Sequence, residues 1–510
     1  MSGKNVNILN IPPGVNRNAS QYAVGPNWYD VNWVRWFDEL LVPIGGWVTN
    51  FLFTGVEPIR NMISWRDLLK EPWVAAGASD KLWGVKVGQS DTFNRYDITP
   101  VGLSNNPGGL VGYGRGAYGS GAYGLDSASG VSPDANALWS LDNFGKLLVS
   151  VHSQDGRLCS WDPVTPTSVA QPITQAPIDN TLVISTEEEY LMVLGGKNNP
   201  RRVKWASQRS LTDWTPTESN TAGGFDLRSN GAIVAAVRVQ GGILVLTDSD
   251  IHMIEYVGPP NYYGRRRISE EGGILGKNCI VSTPRGAIWI SGANFWMYDG
   301  AVSKIPCPIS SKVFYNSDLT QAYRCHMGVN EFAQEVWFFY PKAGGNIADQ
   351  YAILSYSTKP YWSMGVLHRT AWLDPCWQAK PFATRNQNFI AHEVGITDDG
   401  VSRTGKIYAE TGAMEIGDGD KIMRADRIYP DVTTVPTQAE AVESISMTFK
   451  LAQAPNSPPR IYGPLFFDST KGYRTVRFRA RQAIIRVDQV KDTLWQMGKT
   501  RIRIKEAGLR

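Results

Sequence analysis

Short apolar runs broken by polar turns recur along this chain, and most close on a tryptophan or tyrosine. Residues 73–87 (WVAAGASDKLWGVKV) give two runs around Ala78-Ser79-Asp80, and residues 146–161 give two more around Asp155-Gly156, a strong hairpin signal. The same form returns at 241–258, 286–300, 335–365 and 405–412. The closing aromatics are Trp83, Trp161, Trp205, Tyr256, Tyr298, Tyr356 and Tyr408, spaced by 42 to 58 residues apart from one step of 78. Most of these spacings lie near the roughly 40–50 residues of a four-stranded propeller blade. A lone four-stranded sheet has two open edges and little core, and radial stacking buries its faces. The pattern predicts an all-β chain built around a β-propeller. A pair of β-sandwiches would show similarly short strands. Helix is scarce: residues 309–324 form the best candidate, with Ser310 or Ser311 as N-cap.

Composition supports this class. The chain has 510 residues, 42% hydrophobic and 19% charged, with 50 Gly, 30 Pro and 18 Trp, which suits strands joined by tight turns. It exceeds the size at which one core stops growing, so several cores or a closed repeat array are expected. Five cysteines (159, 279, 307, 325 and 376) are far apart and form no CxxC, which disfavours a disulfide framework or a cysteine-rich zinc site. Neither a signal-peptide pattern nor an apolar run of membrane-spanning length is present, so a soluble, cytosol-made protein with no membrane span is expected. Residues 105–130 are glycine-rich, with Tyr-Gly pairs at Tyr113, Tyr118 and Tyr123. Glycine at that density disfavours regular structure. The segment reads as an aromatic loop at an interface or lumen, or as a plain surface loop.

Charge is concentrated at one end. Residues 471–510 carry twelve Lys or Arg and three acids, a local +9 in a chain whose total is +4, leaving −5 for the first 470 residues. Arg477, Arg479 and Arg481 fall on one face of a predicted strand with Val476, Phe478 and Ala480 on the other, and Arg501, Arg503 and Lys505 alternate in the same way with Ile502 and Ile504. Two strands with one apolar and one cationic face would offer a platform to phosphates or to an acidic protein. An ordinary solvated face has the same pattern. Arg265-Arg266-Arg267 is a smaller basic cluster.

Catalytic signatures are missing. His152, His252, His326, His368 and His392 show no metal-binding spacing, and neither GxSxG nor a phosphate loop occurs. Asp398-Asp399 and Asp418/Asp420 read as acidic turns. The expectation is no enzyme, no cofactor and no metal.

The ordered segments carry a resemblance. Residues 12–47 (PPGVNRNASQYAVGPNWYDVNWVRWFDELLVPIGGW), 203–216 (VKWASQRSLTDWTP), 243–260, 270–281, 286–310, 330–341, 361–372 and 388–395, with TVRFRARQ (475–482) and RIRIKEAGLR (501–510), together resemble tail nozzle proteins of short-tailed bacteriophages, also called tail tube or packaged-DNA stabilisation proteins. The insert at 105–130 and the stretch 417–459 lie outside the resemblance. It implies a six-bladed propeller, seven being open from the repeats, with a β platform formed by the chain ends. The expected divisions are a platform or attachment segment at 1–60, the propeller at 61–430 and a basic β platform at 431–510. It further implies a homo-hexamer in the virion tail, assembled in the host cytoplasm. Such a nozzle sits below portal and adaptor proteins, lines the distal channel, holds packaged double-stranded DNA without sequence preference, and docks tail fibres or tailspikes. The alternative is a propeller that binds or cleaves glycans, with Glu187, Glu188 and Glu189 as candidate acids.

Overall fold

The chain is described by a computed structural model covering residues 6–8, 11–55, 57–89, 92–103, 137–357, 359–415, 421–434, 443–455, 457–467, 470 and 472–507. Seven four-stranded antiparallel sheets make up one part of the fold; six are simple up-and-down meanders that follow one another along the sequence, and the seventh joins three successive strands to one from the N-terminal side. Their innermost strands are Asn61–Arg66, Trp139–Phe144, Leu182–Ser185, Ile233–Val239, Ile280–Thr283, His326–Asn330 and Ala371–Leu373. Each lies against the next, and the seventh lies against the first. The sheets are therefore the blades of a closed seven-bladed β-propeller, numbered here 1 to 7 in that order.

The blades are made by the apolar runs. Second strands such as Leu191–Leu194 and Glu335–Pro341 are buried along their whole length, because a blade is covered on both faces. Separate apolar clusters fill the gaps between blades 7 and 1, 1 and 2, 2 and 3, and 3 and 4. A larger cluster runs from blades 4, 5 and 6 into the platform. Some turns need glycine: at Gly286 φ is +124°, and a Cβ there would overlap the Tyr298 carbonyl of the neighbouring strand.

Blade 7 is completed by the other end of the chain. Its first three strands, Ala371–Leu373, Phe382–Arg385 and Asn388–His392, pair with Trp47–Leu52 as the fourth, Asn388 opposite Leu52 and His392 opposite Trp47. Phe51 stacks on Phe389 at 4.8 Å between ring centres. Side chains also cross the ring. Arg238 of blade 4 forks onto Asp142 of blade 2 at 2.8 Å by each nitrogen, and Asp142 also accepts from Ser185 of blade 3. From the loop between blades 4 and 5, Asn278 donates to the Arg60 carbonyl at blade 1, and Lys277 donates to Thr181 at blade 3, both at 3.0 Å. Burial pulls the Lys277 ammonium down to about 7. The bore of the ring is bridged at this end.

The platform draws on both chain ends. One sheet has the order Val6–Ile8, Arg501–Glu506, Met423–Tyr429, Arg474–Ala480. A second runs Trp28–Asn32, Tyr408–Thr411, Gln482–Gln489, Ile445–Ala452, Arg460–Phe467, with Met414–Glu415 beside its central strand. A third holds Val34–Phe37, Leu40–Pro43, Trp495–Met497 and Val432–Thr434. The ring thus takes 47–52 and 61–392, and Tyr408, the last of the recurring aromatics, stands in a platform strand and not in a blade. The helix expected at 309–324 is broken: an α-helix covers Ser310–Tyr315 behind Ile309, and a 3₁₀ segment covers Leu319–Arg324, capped by Asp318. Ser310 bonds Asn18 instead of capping its own helix.

Platform and ring are joined over blades 6 and 7. Trp33 donates its backbone N–H to the Tyr351 hydroxyl at 2.9 Å and its indole N–H to Val366 at 2.7 Å. Beside it, Arg35 reaches Glu335 of blade 6 at 3.1 Å and Glu393, just after the last strand of blade 7, at 2.5 Å. Arg35, Glu335 and Glu393 are buried. The remaining acceptor capacity is used: Trp337 and Tyr361 donate to Glu335, and Asn330 and the Gly45 N–H donate to Glu393, each at 3.1 Å. Burial lowers the affinity of Arg35 for its proton, but the two carboxylates outweigh it and hold the guanidinium charged. Burial first, with Glu393 adding and Arg35 opposing, pushes the Glu335 carboxyl up to about 7.

Removing the cation leaves two buried carboxylates. Arg35→Met is expected to cost about 3–5 kcal/mol in urea unfolding near neutral pH. A raised folded-state carboxyl pKa means the native state holds a proton that the unfolded chain has lost between about 4.5 and 7, so stability falls as pH rises through that window. The deficit of the variant should therefore shrink from pH 8 to pH 5; a deficit independent of pH would refute this account.

Candidate functional site

The basic residues of the C-terminal end meet on the first platform sheet. Strand Arg474–Ala480 alternates as expected: Val476, Phe478 and Ala480 are buried, while Arg477 and Arg479 are exposed. Strand Arg501–Glu506 buries Ile502 and Ile504 and exposes Arg501 and Lys505, with Arg503 half-buried. The two strands are not neighbours. Met423–Tyr429 lies between them, pairing with one on each side.

That central strand brings a residue that the alternation of the sequence does not single out. Arg424 is exposed and sits opposite Arg479 on one side and opposite Lys505 on the other. Three cations thus form a row across three adjacent strands, where directly opposed side chains lie about 4.5–5.5 Å apart at Cβ. Among the described residues, none of the three forms an ion pair, and neither do Arg477 and Arg501. Like charges directly opposite destabilise a sheet by roughly 0.2–1 kcal/mol per pair. The fold sustains that repulsion on the outer side of strands whose other side is buried.

The other basic residues have structural partners. Arg503 forks onto Asp426, its Nη2 at 2.7 Å from Oδ2, and these hydrogen bonds hold Asp426 below the usual carboxylate range. Arg474 donates to the Phe466 carbonyl at 2.9 Å and lies 3.5 Å from Glu443. Arg427 covers the Tyr473 ring at 4.9 Å. Arg481 is half-buried at the step to Gln482–Gln489, where its N–H donates to Ala452. The face therefore consists of Arg424, Arg479 and Lys505, flanked by Arg477 and Arg501, with Arg503 committed to an acid. Tyr113, Tyr118 and Tyr123 lie outside the described residues.

Other candidates are engaged in local structure. Glu189 pairs with Arg209, Glu188 accepts from Tyr263 at 3.1 Å, and Glu187 is exposed on the same turn. Asp398 accepts from the Trp47 indole and Asp399 from Thr49; Asp418 and Asp420 are outside the described residues. Burial pushes His152 and His326 each down to about 4, so both pack as neutral rings. Among the described residues no cluster of three His, Cys, Asp or Glu could hold a metal, and no helix is long and apolar enough to cross a membrane.

No family model and no curated protein matches the chain. Among solved structures, the β-propeller domain of Cps50 (Swd1) from Myceliophteria thermophila is 10% identical over 68% of this chain and 99% of its own, with a TM-score of 0.39. A protein from Lactobacillus plantarum is 9% identical over 64% of this chain and 89% of its own, with a TM-score of 0.36. At these levels the likeness adds no argument to the ring read from strand order.

If the cation row is held against its own repulsion, removing it should relieve the sheet. Arg424→Gln/Arg479→Gln/Lys505→Gln is expected to be as stable as wild type or about 0.5–1 kcal/mol more stable at low salt, converging with it above about 0.5 M salt. Urea melts at both salt levels decide this; a destabilised variant at low salt would mean that the row has compensating partners.

Proposed function

We propose that this chain is a structural tail protein of a short-tailed bacteriophage, a nozzle that assembles as a homo-hexamer below the portal and adaptor. In this reading it lines the distal DNA channel, retains the packaged genome and offers surfaces to tail fibres or tailspikes. The observation that carries the proposal is the row Arg424, Arg479 and Lys505, without ion pairs among the described residues, on a sheet formed by both chain ends. Repeated around a symmetry axis, such a row becomes a cationic collar, which meets phosphates of any sequence or an acidic connector surface. The resemblance of segments 12–47, 203–216, 475–482 and 501–510 to nozzle proteins supports the same reading. The bridged bore is compatible with a lumen between copies and not through one ring.

Electron microscopy of the purified protein, alone and with its adaptor, is expected to show rings with a central lumen; a strict monomer under every assembly condition would overturn the proposal. On duplex DNA, binding is expected to weaken with salt irrespective of sequence. The triple Gln variant should lower the slope of log affinity against log salt by about 0.9 for each phosphate it no longer neutralises. An unchanged slope would remove DNA from the role of this face.

A further inference from the structure

The basic cluster Arg265-Arg266-Arg267 lies far along the chain from the platform face, in the outermost strand of blade 4, Tyr262–Ser269. Arg266 pairs with Glu255 at 2.8 Å. Arg265 and Arg267 belong to the opposite face of the strand, with Tyr263, and look toward the outermost strand of blade 3, Gly223–Asp226. Between the two strands is an open cleft of about 1070 Å³. It is ample for several linked rings, since a drug-sized ligand site spans about 300–1,000 Å³.

Its chemistry is consistent along its length. The apolar wall is aromatic: Phe225 and Tyr262 are partly exposed, and the buried Trp205 backs them. Tyr262 holds φ at +58°, a left-handed conformation unusual for a bulky side chain, and strain of this kind concentrates at ligand sites. Beneath it, Tyr263 is buried and fixed by the Thr186 hydroxyl at 2.8 Å and by Glu188 at 3.1 Å. Gly223 lets the wall close up, because a Cβ there would overlap the Trp205 indole. Three exposed cations, Arg228, Arg265 and Arg267, stand around the wall, and among the described residues no carboxylate lines the cleft. Arg265 stacks over Phe225 at 4.8 Å, and Arg267 reaches out to Glu270 at 2.5 Å. Asn261 adds an exposed side-chain amide.

Arginine on an outer strand also blocks unwanted edge pairing, but that role requires neither an aromatic wall nor the exclusion of acids. A peptide added as a strand would use the backbone edges and leave the wall empty. Ring faces flanked by guanidinium groups and an amide suit a pyranose whose C–H face stacks while its hydroxyls and carboxylate take hydrogen bonds. We infer that the cleft between blades 3 and 4 binds an acidic saccharide, several uronic-acid units long. This site is independent of the platform face and of the nozzle reading.

The test uses the full-length protein with three probes: an oligogalacturonate of about six units, maltohexaose as its neutral counterpart, and an oligothymidylate of similar length. Isothermal titration is expected to detect oligogalacturonate binding, with maltohexaose and oligothymidylate at least roughly tenfold weaker. Arg265→Gln/Arg267→Gln should weaken the acidic saccharide at least roughly tenfold. Tyr262→Asn, which keeps a residue tolerant of positive φ, should do the same, while circular dichroism and melting stay as in wild type. Arg424→Gln/Arg479→Gln on the platform should leave it unchanged. Any one of four results overturns the assignment: no binding of oligogalacturonate at millimolar concentration, equal binding by folded cleft variants, equal affinity for maltohexaose, or tighter binding of oligothymidylate.

Discussion

The architecture rests on one strand pairing. Trp47–Leu52 supplies the outer edge of blade 7 and leads directly into the first strand of blade 1. Without it the ring would end in a three-stranded sheet, and the aromatic layer of Phe51, Phe53 and Phe389 between blades 7 and 1 would lose its middle. Because the latch comes from the N-terminal side and its partner from the far end of the ring, the flanking segments emerge at the same place. The platform is the consequence: segments 28–43 and 408–506 meet over blades 6 and 7 and share three sheets. Arg35 then fixes that meeting point with an ion pair to each side, buried where any loss of geometry would strand a charge.

What the sequence discloses follows from what repeats locally. The third strands of blades 2, 3, 5 and 6 end at or beside a recurring aromatic (Trp161, Trp205, Tyr298 and Tyr356), whereas Trp83 opens the third strand of blade 1 and Tyr256 stands two residues before the end of that of blade 4. Blade 7 lacks the signal: its third strand ends at His392, and its fourth comes from the N-terminal part of the chain. Tyr408 continues the rhythm but belongs to the platform, since a half-buried strand has the same period wherever it pairs. The apolar spacing over 309–324 suits one helix, yet Asp318 caps a new turn and the chain breaks there.

The candidate site divides in the same way. Alternation makes the cationic faces of 474–480 and 501–506 readable, since parity alone decides which side chains point out. It does not disclose that another strand separates them. Arg424 is hidden because a register shift between Ala425 and Arg427 breaks parity in its strand. Arg503 looks equivalent to Arg501 in sequence, but only the register shows that Asp426 neutralises it. In the cleft of blades 3 and 4, the three consecutive arginines are plain in the sequence, while Trp205 and Phe225 lie some 40–60 residues earlier and meet them only through the stacking of blades.

The latch has a temporal consequence. On a ribosome, Trp47–Leu52 emerges about 340 residues before Asn388–His392 exists to receive it, roughly 17–70 s at about 5–20 residues per second. For that interval a hydrophobic β-strand must wait unpaired while six blades form beside it. A strand made before the first blade is thus seated only when the seventh is finished, and its waiting period is when a neighbouring nascent chain could borrow it and knit two rings into one.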